Sequence, residues 1–293
     1  MKCLWMLPTV CALILSVEPS AAAQCEAIKD EAKALLRRGE VAEAARLIDE
    51  QCPVAQRNAD TWFLLADTYD TLMDRAGFLK KRGWAKKMKH ALISALESDP
   101  KHVGARKELA DFYYYAPGIV GGDKDEAAHQ LDELERHAPA EAWATRGDFA
   151  RHAGDLDAAA QHLEKAVALD QRKPKYMFTL AVIEQQRNRF EESIPLLEQV
   201  ISADSTYEEA YYYRAKASAM AGIDVDRGFE CAAQYLDNCN RCDEADRGYG
   251  LWRKAALLEH AGQTDAAIGA YLEALRYNPK LDAARKQLES LER

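Results

Sequence analysis

Between Ala140 and Lys173 the apolar residues recur at helical spacing on either side of a tight turn. The run AEAWATRGDFARHAGDLDAAAQHLEKAVALDQRK places Trp143, Gly147 and Ala150 before the turn Gly154-Asp155, and Ala159, Leu163 and Ala166 after it. This three-to-four-residue spacing predicts two short amphipathic helices, with the glycine marking the turn between them. Gly147, Ala159 and Ala166 are small enough to let two helix backbones approach, while Trp143 and Leu163 fill the space between. One such hairpin cannot bury its apolar face alone, so the pattern predicts stacked copies of itself.

Copies are present, with varying regularity. The first hairpin runs from Cys25 to about Pro53 around Arg38-Gly39-Glu40, and Pro174–Tyr207, Glu208–Arg241 and Gly248–Leu281 continue the pattern after Lys173. Two less regular units, Ala59–His102 and Val103–Pro139, lie between, which makes seven repeat-like units in all. No segment shows strand alternation. The remaining residues Asp282–Arg293, preceded by Leu281, put Leu281, Ala284 and Leu288 on one helix face and read as a cap over the last apolar surface.

The spacing around Trp143, Gly147, Ala159, Leu163 and Ala166 resembles the tetratricopeptide repeat (TPR), whose period is about 34 residues. That resemblance implies an all-α, right-handed superhelical solenoid of antiparallel helix hairpins. It divides the chain into a signal segment (1–23), a cap-like hairpin (24–58), enlarged repeats (59–139), a regular array (140–281) and a capping helix (282–293). In the family, the first helix of each hairpin lines a concave face where peptides bind. Carried over residue by residue, the partner-binding positions are Phe63, Asp111, Tyr114, Tyr115, Asp148, Arg151, Phe178, Tyr212, Lys216, Tyr249 and Trp252. Aromatic anchors with polar neighbours suit a peptide groove because they bury much area at little entropic cost. The alternative is that some of these rings pack between repeats.

The irregular units hold the chain's individuality. Ala59–His102 exceeds the usual period by about ten residues, and its extra segment bears Phe78, Trp84 and the basic run Lys80, Lys81, Arg82, Lys86, Lys87 and Lys89. This segment reads first as a solvated helix surface with the two rings turned inward; a docking patch for an acidic partner or lipid headgroups is the alternative. Asp67, Asp70 and Asp74 share a helix face and read as a solvated stripe. In Val103–Pro139 the sequence Ala116-Pro117-Gly118-Ile119-Val120-Gly121-Gly122 replaces the tight turn. No strand precedes this loop and no Gly-Lys-Ser/Thr ends it, so it is not a nucleotide loop. The stretch YYYAPGIVGGDKDEA resembles a group of exported bacterial TPR proteins. Further on, Pro195 predicts a helix that starts late or bends, and Arg227 occupies a position where alanine is expected.

The net charge of −9 disfavours binding to nucleic acid or an anionic membrane surface. Met1-Lys2, an apolar run to Val17 and the small residues Ala21-Ala22-Ala23 read as a secretory signal cleaved after Ala23, hence a periplasmic protein without stable membrane insertion. Cys3 and Cys11 would leave with it. The other cysteines, Cys25, Cys52, Cys231, Cys239 and Cys242, are disulfide candidates in an exported chain. Cys25 and Cys52 flank Gly39 at 14 and 13 residues, which brings them level in an antiparallel helix pair. For Cys231 with Cys239 or Cys242 a structural bridge is the first reading, with a metal site including His260 and a redox pair as alternatives. No cofactor, metal or catalytic residue is assigned. The sequence therefore reads as a non-catalytic scaffold or adaptor binding a protein or peptide in the bacterial cell envelope. A small-ligand-binding or enzyme-accessory subunit using 59–139, or a thiol- or metal-dependent sensor, are the alternatives.

Overall fold

The computed structural model describes residues 20–238 and 243–292, apart from the side chains of Phe78 and Leu79. Its helices are α1 (Ala21–Arg37), α2 (Val41–Gln51), α3 (Ala59–Asp74), α4 (Phe78–Ser98), α5 (Val103–Tyr115), α6 (Lys124–Glu135), α7 (Pro139–His152), α8 (Leu156–Leu169), α9 (Pro174–Gln186), α10 (Phe190–Ala203), α11 (Glu208–Ala221), α12 (Val225–Asn238), α13 (Glu244–His260), α14 (Thr264–Tyr277) and α15 (Asp282–Leu291). The helices pack as hairpins in the pairs α1–α2, α3–α4, α7–α8, α9–α10, α11–α12 and α13–α14, and no strand occurs among the described residues. The chain forms two compact units, residues 1–127 and 128–293.

In the second unit α7 and α8 show why the spacing works. Ala142, Ala159 and Ala166 are fully buried, and a side chain on Gly147 would collide with Leu163 from the facing helix. The turn between them reverses through Gly154 in the left-handed region (φ 84°), after which Asp155 caps α8 by accepting from the Ala158 amide at 2.9 Å. Asn188 takes the same left-handed role between α9 and α10 (φ 61°), as its short polar side chain permits. α10 begins at Phe190, five residues ahead of Pro195, so the helix does not start late. The proline removes one backbone bond from its interior.

Arg227, out of place for a repeat, has a partner. Its Nε and Nη2 donate to the two carboxylate oxygens of Glu198 at 3.0 Å each. Buried Arg214 of α11 donates to the same Glu198 at 2.7 Å and to the hydroxyl of Ser218 at 2.5 Å. These bonds hold the Glu198 carboxyl below its ordinary range, Arg227 first.

In the first unit, Cys25 and Cys52 form a disulfide across the open end of the α1–α2 hairpin, with Cα atoms 5.0 Å apart. Buried Arg57 closes the same end: it donates to the Cys52 carbonyl at 3.0 Å and the Ile48 carbonyl at 3.1 Å, and lies 4.7 Å over the Trp62 ring. A cation suited to that helix end thus reinforces the carbonyls at the C-terminus of α2.

Candidate functional site

Two places in the described residues gather chemistry. In the second unit, α9, α11 and α13 assemble a run of rings and cations. Phe178 meets Tyr213 edge-on at 5.3 Å, and Tyr213 meets Tyr212 edge-on at 5.3 Å. The Arg253 guanidinium follows, 5.7 Å from the Tyr212 ring and 3.7 Å over Trp252. Lys216, one helical turn beyond Tyr212, places its ammonium 5.3 Å from the Tyr213 ring.

The cations are poorly compensated. Arg253 is only 5% exposed, its Nε has no hydrogen-bond partner, and its contact with the Tyr212 hydroxyl is long at 3.4 Å. No carboxylate lies within ion-pair reach of Lys216 or Arg253 among the described residues. Burial first, then Arg253, pulls the Lys216 ammonium below the usual lysine range. Cation–aromatic stacking supports Arg253 without neutralising it. This is a cluster of half-buried rings and the half-buried Lys216 around the buried Arg253, with unmet positive charge.

The other expected positions of this unit vary in use. Tyr249 is exposed and lies 6.4 Å from Trp252, whose indole donates to Gln287 at 2.5 Å. Asp148 and Arg151 pair with each other at 3.6 Å. Arg253 and Tyr213 were absent from the expected set. Both lie beside expected residues, at positions that the carry-over from the family's pattern did not include.

In the first unit, Phe63 packs against His102 at 4.9 Å and over Gly104, so its ring joins α3 to α5. Asp111 accepts from Lys107 at 2.6 Å, and Tyr114 and Tyr115 meet edge-on at 4.9 Å. Asp111 and Tyr115 also line a cavity of about 760 Å³ with residues of α3, α4 and the loop after α5. Asp70 lies in that cavity and is half-buried, which corrects its reading as part of a solvated stripe; Asp67 is exposed. In the basic segment, Lys87 lies 5.1 Å from both the Tyr69 and Trp84 rings, and Trp84 stacks on Tyr69 at 5.6 Å. The side chain of Phe78 lies outside the description.

Cys231 is fully buried in α12, and burial pushes its thiol up to about 11. Cys239 and Cys242, and hence the pairing expected with Cys231, lie outside the described residues. His260 contacts the Ala219 carbonyl at 2.7 Å, and no metal-ligand cluster occurs among the described residues. No described helix is long and apolar enough to cross a membrane.

Comparison with known proteins agrees with this architecture. Two family models, each described as tetratricopeptide repeat, match residues 150–219 and 120–174. A TPR repeat-containing protein of Methanocaldococcus jannaschii is 22% identical over 193 residues, which is 62% of this chain and 33% of the relative. The chain thus spans about a third of the length of that relative. Among solved structures, the C-terminal part of a TPR repeat-containing protein from Cytophaga hutchinsonii superposes with a TM-score of 0.57 at 13% identity, over 88% of this chain and 98% of that one. YrrB, described as a TPR protein with an unusual peptide-binding site, gives 0.56 at 13% identity, over 69% of this chain and 99% of its own. Residues 120–219 thus match the tetratricopeptide repeat, and the fold is that of an all-α TPR solenoid.

Proposed function

We propose that this protein is a non-catalytic scaffold of the bacterial cell envelope that holds an acidic, aromatic-bearing or aliphatic peptide segment of a partner on the first-helix face of its second unit. TPR proteins in general bind protein or peptide partners, and YrrB is one such neighbour in fold. The observation that supports the reading most is the pair Lys216 and Arg253. They are cations set among Tyr212, Tyr213 and Trp252, without a carboxylate of their own. A carboxylate of the partner would fill that deficit with charge-assisted bonds, while its apolar neighbours lie against the rings. Export is part of the same proposal. The N-terminal segment is its address, and the Cys25–Cys52 disulfide suits an oxidising compartment.

Selection from a random displayed-peptide library tests this. The expected result is enrichment of peptides with Asp or Glu next to an apolar residue, lost on Lys216→Met. Enrichment of basic peptides, or of the same acidic set on Lys216→Met, would overturn it.

A further inference from the structure

We propose that the first unit contains a second, independent binding site, a pocket for a small amphipathic cation: an apolar body bearing an amine or similar head group. The cavity of about 760 Å³ is bounded by α3, α4, α5 and the 3-10 turn Gly118–Val120. Its size lies within the range of small-molecule sites, roughly 300–1,000 Å³. Met73, Ala85, Met88, Phe112, Ile119 and Val120 give it a largely apolar wall.

The two places where the chain departs from its own repeat pattern build this space. The lengthened α4 contributes Lys81, Arg82, Ala85 and Met88. The loop contributes Pro117, Ile119 and Val120, and it is fixed in shape. The Pro117 carbonyl accepts from the amides of Val120 at 2.9 Å and Gly122 at 3.2 Å, and the Asp123 amide donates to the Tyr113 carbonyl at 2.8 Å. A side chain on Gly122 would run into the Ala116 carbonyl, so the close return of the chain needs glycine there.

Three carboxylates line the cavity: Asp111, which is paired with Lys107, and the two on which the site turns, Asp70 from α3 and Glu108 from α5. Asp70 and Glu108 are half-buried, and neither has a hydrogen-bond or ion-pair partner among the described residues. Burial raises Glu108 to about 7. Asp67, Asp70 and Asp111 add to the rise, and Lys107, itself held by Asp111 at 2.6 Å, opposes it. Burial, with Asp74 and Asp67, raises Asp70 as well. A cationic head placed against Glu108 and Asp70 relieves their repulsion and replaces their lost water. Lys81 and Arg82 also line the cavity, but they are exposed and water already serves them. The unmet demand is therefore for positive charge, with an apolar body beside it.

The test uses three probes that share one body: 4-phenylbutylammonium, 4-phenylbutanol and 4-phenylbutyrate, titrated calorimetrically into the full chain at pH 8. The ammonium is expected to saturate one site at least tenfold more tightly than either other probe. Glu108→Gln is expected to weaken it at least fivefold and leave the alcohol unchanged. Wild-type affinity for the ammonium should fall as pH drops from 8 to 6, because Glu108 takes up a proton in that window and loses its charge; Glu108→Gln should lose most of this dependence. Should Glu108→Gln not fold, Asp70→Asn provides the same reading, with at least threefold weakening expected. Equal or tighter binding of the carboxylate, saturation by none of the probes, or an unchanged ammonium affinity in the folded variant would overturn the proposal.

Discussion

Arg227 reaches across 29 residues to grip both oxygens of Glu198 at 3.0 Å, turning a position that breaks the repeat pattern into a tie between neighbouring hairpins. Glu198 also neutralises Arg214, which is 1% exposed. Glu198→Ala should therefore cost about 2 kcal/mol, because it leaves the buried guanidinium of Arg214 with only Asp224, at 3.2 Å, and Ser218 as partners. Arg227→Ala, which removes a half-exposed partner, should cost about 1 kcal/mol. Urea denaturation followed by circular dichroism measures both. Equal costs would show that Glu198 does not hold Arg214 in place.

The same carboxylate sets an acid limit. Its folded pKa lies below the ordinary value, Arg227 being the largest cause and Arg214 the next opposing burial. A group depressed in this way adds stability above its unfolded pKa, about 4.3, and loses it as pH falls through the lower folded value. Melting temperature should therefore drop below about pH 4.3 more steeply in wild type than in Glu198→Gln. Parallel curves would contradict the assignment.

Gly147→Ala should cost about 1–3 kcal/mol, since the added methyl meets Leu163. Leu163→Ala alone should cost about 2–5 kcal/mol. The double variant should be less destabilised than the sum, because the smaller residue at 163 vacates the space the methyl needs. Strict additivity in a double-mutant cycle would show that the two do not touch.

Reduction of Cys25–Cys52 removes a constraint on a loop of 27 residues' separation. The Cys25→Ser/Cys52→Ser variant should lose about 3 kcal/mol in the first unit, seen as an earlier calorimetric transition. Cys231 should behave differently. With its thiol pushed to about 11 by burial, it should resist iodoacetamide at pH 8 in the folded protein and react on unfolding. Peptide mass spectrometry distinguishes it from the other cysteines, and rapid labelling of native Cys231 would contradict its burial.

Much of this architecture was legible in the chain. The 3.6-residue period located α7 and α8, and Gly147 opposite Leu163 is the contact that its smallness implied. Equal spacing about Gly39 anticipated the Cys25–Cys52 bridge. Periodicity places a residue on a helix face but does not say which neighbour it meets. Arg227 therefore read as a defect until Glu198 was seen beside it, and Arg253 went unnoticed next to Trp252. The period also read Asp70 as solvated, because it does not show that α4, α5 and the loop at Pro117–Val120 enclose the space it faces. Pro195 misled about the start of α10, since one lost backbone bond is tolerated where the packing of Leu197 and Val200 holds the helix.

The central claim is that Tyr212, Trp252 and the cations between them hold a partner peptide. It is tested most directly by fluorescence anisotropy of the tightest library-selected acidic peptide against wild type and the Tyr212→Ala/Trp252→Ala variant. Loss of two aromatic anchors should weaken binding by about 2–4 kcal/mol, or roughly thirty- to a thousandfold, with an unchanged circular dichroism spectrum. Unchanged affinity in the folded double variant would contradict the account.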